Sequence, residues 1–239
     1  MPSAQSDIRS VENRGRGIHI ARVATIPWED RINVDNWPSQ AGMYHHDPAN
    51  QFTLRLINYP LGSTEPRHVH AGSHATTVLR GRAIVDGLSL GPLDVILGPS
   101  NEPHGPLHYP EGCKLLSAFQ GSYFHSEVGE LSGEPQYRLI QANTLPWAPD
   151  HTLGCQKRTL VDRGLGRLKV EVLAFAGKQC LDLPPSRPST AFLVLDGSVS
   201  VAGEARPLGE WDFLYLDAGG EPTSLDVSTG TTLLSLALR

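Results

Sequence analysis

Three histidines fall within one short stretch, His68-Val69-His70-Ala71-Gly72-Ser73-His74, and His104 follows in Pro103-His104-Gly105. Four imidazoles drawn from two segments are the right donors, in type and number, to hold one divalent transition metal. In an extended chain residues i and i+2 share a face, so His68 and His70 project together, while His74 and His104 arrive from later strands. Two further residues are candidates for holding a substrate. Arg55 lies on an alternating strand, where it can point inward toward an anion, and His108 lies past a Gly-Pro turn, where it can line the pocket mouth. Arg67 is out of phase with His68 and reads as facing away. His45 and His46 flank the turn Asp47-Pro48 and read as surface residues; His19, His125 and His151 read as structural or solvent-facing. There is no phosphate-loop spacing and no cysteine beside a motif that would make it a nucleophile.

Strands must position these residues. Apolar residues at helical spacing are scarce. Short β-rich runs bounded by Gly, Pro and Asp dominate: residues 52–57, 76–79, 94–97 and 114–119, then 168–173, 191–195 and 232–236. Such runs predict an all-β sandwich or barrel. The halves also repeat each other. Thr25-Ile26-Pro27-Trp28 returns as Thr144-Leu145-Pro146-Trp147, Leu79-Arg80-Gly81 as Leu195-Asp196-Gly197, and Leu90-Gly91-Pro92-Leu93-Asp94 as Leu208-Gly209-Glu210-Trp211-Asp212. The offsets of 119, 116 and 118 imply a duplicated unit. We expect two β-domains, residues 1–132 and 133–239, joined near Gly133-Glu134-Pro135. The second copy aligns Pro184, Ser186, Thr190 and Pro222 with the four histidines, so it keeps the turns and loses every candidate ligand. Histidines dispensable to one copy of a fold argue for a metal role in the other.

The 239 residues are 39% hydrophobic and 19% charged, with a net charge of −5. That field gives no support for nucleic-acid or membrane binding. Three cysteines without metal-finger spacing read as reduced thiols. No apolar run approaches the roughly 18 residues of a membrane span, and the N-terminal residues lack signal-peptide character, so a cytoplasmic location is expected.

The assembled residues resemble the cupin superfamily, whose motifs run G-x5-H-x-H-x3,4-E-x6-G and G-x5-P-x-G-x2-H-x3-N. Gly62 through His70 keeps the first spacing, His74 takes the glutamate place and Gly81 closes the motif. The second runs from Gly91 to His104, with Asn101 for its glycine and His108 for its trailing asparagine. The lead-in Tyr44-His45-His46-Asp47-Pro48 and Phe52-Thr53-Leu54-Arg55-Leu56 is similar to the ChrR-like subgroup, which includes acetylacetone- and dihydroxyacetophenone-cleaving dioxygenases. The resemblance implies a bicupin, two tandem double-stranded β-helix (jelly-roll) barrels, with a metal site only in the N-terminal one. It implies His68, His70 and His104 as ligands, with His74 a fourth ligand or a residue beside them.

Neutral imidazoles would leave the ion's charge to be met by water, hydroxide or an anionic chelating substrate. Iron(II) is the favoured metal, and oxidative carbon–carbon cleavage of a small oxo- or hydroxyketone or aromatic compound by dioxygen is the implied chemistry. Two alternatives stand beside it. One is zinc, nickel or manganese serving an isomerase, lyase or cyclase as a Lewis acid; the other is a non-catalytic metal- or ligand-binding sensor. Exposed sheet edges invite a homodimer.

Overall fold

The structure is a computed structural model that describes residues 12–13, 17–32, 38–123, 125–126, 137–162, 168–185 and 188–238. Every β-rich run named above lies in a strand, from Phe52–Tyr59 to Thr232–Leu238. Asp94 alone stands outside its strand, Val95–Gly98, because its carboxylate accepts from Gly91 N in the preceding turn. Among the described residues there is no α-helix; a single 3-10 turn spans Ala142–Thr144. No helix among them is long and apolar enough to cross a membrane.

The strands Trp28–Ile32, Pro38–Asp47, Phe52–Tyr59, Cys113–Gln120, Ser73–Gly81, Val95–Gly98 and Arg138–Ile140 form, in that spatial order, a seven-stranded sheet. A four-stranded sheet that includes Ser63–Glu65 and Leu107–Tyr109 covers one of its faces. The second half repeats the plan. An eight-stranded sheet running from Ala148–Asp150 to Glu12–Asn13 is covered by a three-stranded sheet of Gln179–Leu183, Thr223–Val227 and Val199–Val201.

Alternation decides which side chains go where. Leu54, Leu56, Leu116 and Ala118 meet Val170, Val172, Leu234 and Leu236 in one buried cluster, so the two large sheets pack face to face. The opposite faces look into the two sandwiches. Val78, Ile96 and Leu115 pack on Val85, Leu107 and Tyr109 in the first. Leu173, Phe192 and Leu214 pack on Leu181, Val201 and Leu225 in the second. Arg55 alternates with Leu54 and Leu56 and therefore enters the first interior.

The junction expected at residues 132/133 lies outside the described residues. Around it, strands cross between sheets. Ile18–Ala21 pairs with Phe213–Leu216 in the second large sheet, and Arg138–Ile140 pairs with Val95–Gly98 in the first. The repeated Thr-x-Pro-Trp segments lead into the corresponding edge strands, Trp28–Ile32 and Ala148–Asp150. His45 departs from expectation: it is buried, because a register shift between Met43 and His45 turns its ring onto Tyr215, centroids 3.8 Å apart.

Candidate metal centre

The backbone brings the two histidine segments side by side before any side chain is considered. His68 N donates to His104 O and His104 N to His68 O, each at 3.0 Å. His70 ends the strand Val69–His70, which pairs with His125–Ser126, and its carbonyl accepts from Asn101 N. Asn101 stands where the motif has glycine and adopts φ 59°. Asparagine is among the few residues that visit this left-handed region readily, so the turn that delivers His104 is kept.

The rings of His68, His70 and His104 are buried, and one ligand-capable nitrogen from each lies within 4.8 Å of the others. Their outer nitrogens fix the tautomers. His68 Nδ1 lies 2.8 Å from Pro66 O, His70 Nδ1 3.1 Å from Tyr123 O, and His104 Nδ1 3.2 Å from Glu102 O. A carbonyl only accepts, so Nδ1 carries the proton in each neutral ring and Nε2 keeps its lone pair. The Nε2 atoms of His68 and His70 then face each other at 3.2 Å, lone pair toward lone pair. Two acceptors at that distance need a cation or an extra proton between them. Three oriented imidazoles with carbonyls behind them are the donor set of a divalent transition metal, and the residues present fit one.

His74 is buried beside this cluster and outside it. Its ring centroid is 4.7 Å from that of His104 and 5.1 Å from that of His70. Its Nδ1 meets Thr76 Oγ1 at 3.1 Å, and Nε2, without a hydrogen-bond partner, lies over Gly98. Burial, and then His104 and His68, hold its pKa well below the usual histidine range, so its ring is neutral.

Arg55 is buried on the same interior face, with its guanidinium 4.8 Å from the centre of the Tyr123 ring. It pairs across the sheet with Ser117, whose hydroxyl meets Thr76 Oγ1 at 3.0 Å, and so a polar row runs from Arg55 to His74. Phe119 closes the wall, edge-on to His70 at 4.9 Å. His108 is not brought in. Leu107 and Tyr109 of its strand point inward, so alternation turns His108 to solvent, where its ring meets Thr64. Arg67 is exposed, as its phase predicts.

Sequence reasoning passed over Glu65. It is buried, with Oε1 3.7 Å from His68 Nε2, and Tyr109 donates to its Oε2 at 2.9 Å. Tyr59, stacked on Tyr109, also hydrogen-bonds to it. The available signal was its phase: Ser63 and Glu65 point inward while Thr64 does not.

No family model matches the chain, and no curated protein matches it in sequence. Its fold is similar to solved structures. A candidate dioxygenase of Nostoc punctiforme superposes with a TM-score of 0.76 at 14% identity, over 94% of this chain and 83% of that one. HEPD of Streptomyces albus, solved with 2-hydroxyethylphosphonate and Fe(II) bound, gives 0.66 at 14% identity, over 95% and 77%. A single-site variant of salicylate 1,2-dioxygenase of Pseudoaminobacter salicylatoxidans gives 0.59 at 15% identity, over 79% and 70%. These are likenesses of fold, and together with the sheet plan they show that the chain has the cupin jelly-roll fold.

Proposed function

We propose that the chain is a mononuclear metal-dependent dioxygenase acting on a small chelating oxo- or hydroxyketone or aromatic compound. Residues 1–132 carry the site in this reading, and 133–239 serve as a structural repeat. The gathering of three buried histidines, each with a carbonyl at Nδ1, carries the proposal. The dioxygenases among the structural neighbours support it.

A bound divalent metal, iron(II) in this reading, supplies the Lewis acidity and electron transfer that dioxygen chemistry needs. The protein does the rest. His68, His70 and His104 would hold the ion, backed by their carbonyl contacts. Arg55 binds an anionic oxygen of the substrate, and Phe119 and Tyr123 flank its apolar part. His74, neutral, adds a polar ring to the interior without a charge. Overall, one carbon–carbon bond breaks and each of its carbons takes one atom of dioxygen.

The test is anaerobic loading of the purified full chain with iron(II), followed by β-diketones, hydroxyaryl ketones or salicylate, and then air. One dioxygen consumed per substrate cleaved is expected, with loss of both metal and uptake in His70→Ala. Stoichiometric metal with no oxygen uptake from any of these substrates overturns the dioxygenase reading and favours Lewis-acid chemistry at the same site.

A further inference from the structure

A run of polar side chains crosses the interior face of the first large sheet. His74, Thr76 and Ser117 are all buried. Ser117 alternates with Leu116 and Ala118, which face the second unit, so it looks into the first interior, where Phe119 of the same strand meets His70. His74 Nδ1 lies 3.1 Å from Thr76 Oγ1, and Thr76 Oγ1 lies 3.0 Å from Ser117 Oγ. The three side chains have no other hydrogen-bond partner among the described residues.

Their protons show what the run can offer. The neutral ring carries one and each hydroxyl carries one, while the two contacts use two of the three. If Nδ1 accepted from Thr76, the remaining proton would sit on Nε2, buried over Gly98 without a partner. Orphaned buried N–H groups are rarer than under-used acceptors, so Nδ1 donates to Thr76. A head-to-tail run, in which each bond polarises the next, continues from Thr76 to Ser117. The third proton is then the Ser117 O–H, at the end of the run and next to Arg55 across the sheet.

The second unit keeps these positions and loses the run. Ser235 pairs with Glu171 and Phe192 where Ser117 pairs with Arg55 and Thr76. Phe192 has no hydroxyl, and Thr190, in the place of His74, donates to Pro188 O instead. The run thus belongs to the unit that holds the histidine cluster and is missing from its repeat.

Resting on the metal reading above, we propose that Ser117 is a specificity-determining residue of this site, its hydroxyl donating to a substrate oxygen other than the two that chelate the metal. The substrate class narrows to a chelating oxo-compound with a third acceptor oxygen, in a carboxylate or a carbonyl group. Thr76 and His74 are positioning residues, because Thr76 occupies a lone pair of Ser117 Oγ and leaves its proton for the substrate. Arg55 on the neighbouring strand adds its charge when that oxygen belongs to a carboxylate.

The experiment is calorimetric binding to the full chain loaded with zinc(II), which coordinates without redox chemistry. Three probes differ at one end only: pentane-2,4-dione, 2,4-dioxopentanoate and the methyl ester of that acid. The parent should prefer acid and ester to the dione. Ser117→Ala should lower the preference for the acid roughly 10-fold and that for the ester roughly threefold, as expected of charged and neutral acceptors. Arg55→Gln should lower the first alone, and Ser117→Thr, which keeps a hydroxyl, should retain both. Thermal melts and zinc(II) titrations verify that each variant is folded and loaded. Long-range nitrogen-15 correlation spectra should show His74 protonated at Nδ1. A parent without these preferences, preferences unchanged in Ser117→Ala, or His74 protonated at Nε2 overturns the proposal. Oxygen uptake plays no part in this measurement. The expected preferences in the zinc(II) form, with no oxygen uptake by the iron(II) form, uphold the role of Ser117 and overturn the dioxygenase reading alone. A parent that binds no zinc(II) overturns the metal centre and this proposal with it.

Discussion

Gly98 lets His74 sit where it does. The two are partners across the sheet, and a Cβ at 98 would fall on the imidazole ring. In the second unit the corresponding pair is Thr190 and Leu216, so an aliphatic side chain fills what the first unit leaves open. His74 has little room to retreat, with His70, His104 and Phe119 around its ring. Gly98→Ala should therefore cost about 1–3 kcal/mol, the usual penalty of overpacking. Removing the ring as well, in Gly98→Ala with His74→Ala, should leave less than the sum of the two single losses. Urea unfolding of the metal-free proteins measures both, and strict additivity would argue against this contact. Arg55 invites a different substitution. Losing a charge-assisted hydrogen bond costs about 1.5–3 kcal/mol, roughly 10- to 150-fold in affinity. Arg55→Gln should raise KM for an anionic substrate by that factor while metal content stays at the parent level; an unchanged KM removes Arg55 from substrate binding.

The repeated Leu-Gly-x-x-Asp element has a structural role in both units. Asp94 accepts from Gly91 N at 2.8 Å and from Ala142 N at 2.7 Å, while Asp212 accepts from Gly209 N at 3.1 Å and from Val23 N at 3.0 Å. Each aspartate closes its own turn and holds the segment that arrives from the other half. Leu93 and Trp211 take the left-handed conformation at equivalent turn positions, φ 74° and 63°. Asp94→Ala strands the buried Ala142 N–H and should cost about 1–3 kcal/mol, with Asp94→Asn milder because one acceptor survives. A lower urea midpoint at unchanged slope is the expected reading, and an unshifted midpoint would remove the clamp from the account.

This duplication was legible because it is local: turn chemistry and period-2 alternation leave marks within a few residues. His68, His70 and His104 were legible for the same reason, through their motif spacing. What pairs with what across the chain was not. The exchange of Ile18–Ala21 and Arg138–Ile140 between sheets rests on hydrogen bonds to strands far away in sequence. Glu65 depends on Tyr109, 44 residues later, and His45 on a bulge that shifts the alternation by one. A histidine's phase can be read from a strand; the neighbours that occupy its nitrogens cannot.

At the scale of the molecule, the two large sheets meet over more than apolar side chains. His45 is stacked on Tyr215, whose hydroxyl donates to Asp47, and His19 bonds Asp217 at 3.0 Å close by. His45 Nε2 is buried without a hydrogen-bond partner. Burial first, then His19, lowers the His45 pKa to about 4; His46 acts in the same direction, and Asp47 and Asp217 oppose it more weakly. A depressed histidine pKa means that the unfolded chain binds more protons than the folded one below about pH 6.5, so stability falls as the pH drops from there toward 4. The shift corresponds to about 3 kcal/mol across that window. His45→Gln removes this proton-linked loss without removing the polar side chain. Urea unfolding at pH 7.5 and 4.5, with chelator present, should show a smaller acid-induced drop for His45→Gln than for the parent. The remaining histidines are the same in both proteins, so their contribution cancels in the difference. Parallel losses would place the acid sensitivity elsewhere, whereas a flatter profile makes the contact between the two sheets an acid-labile part of the molecule.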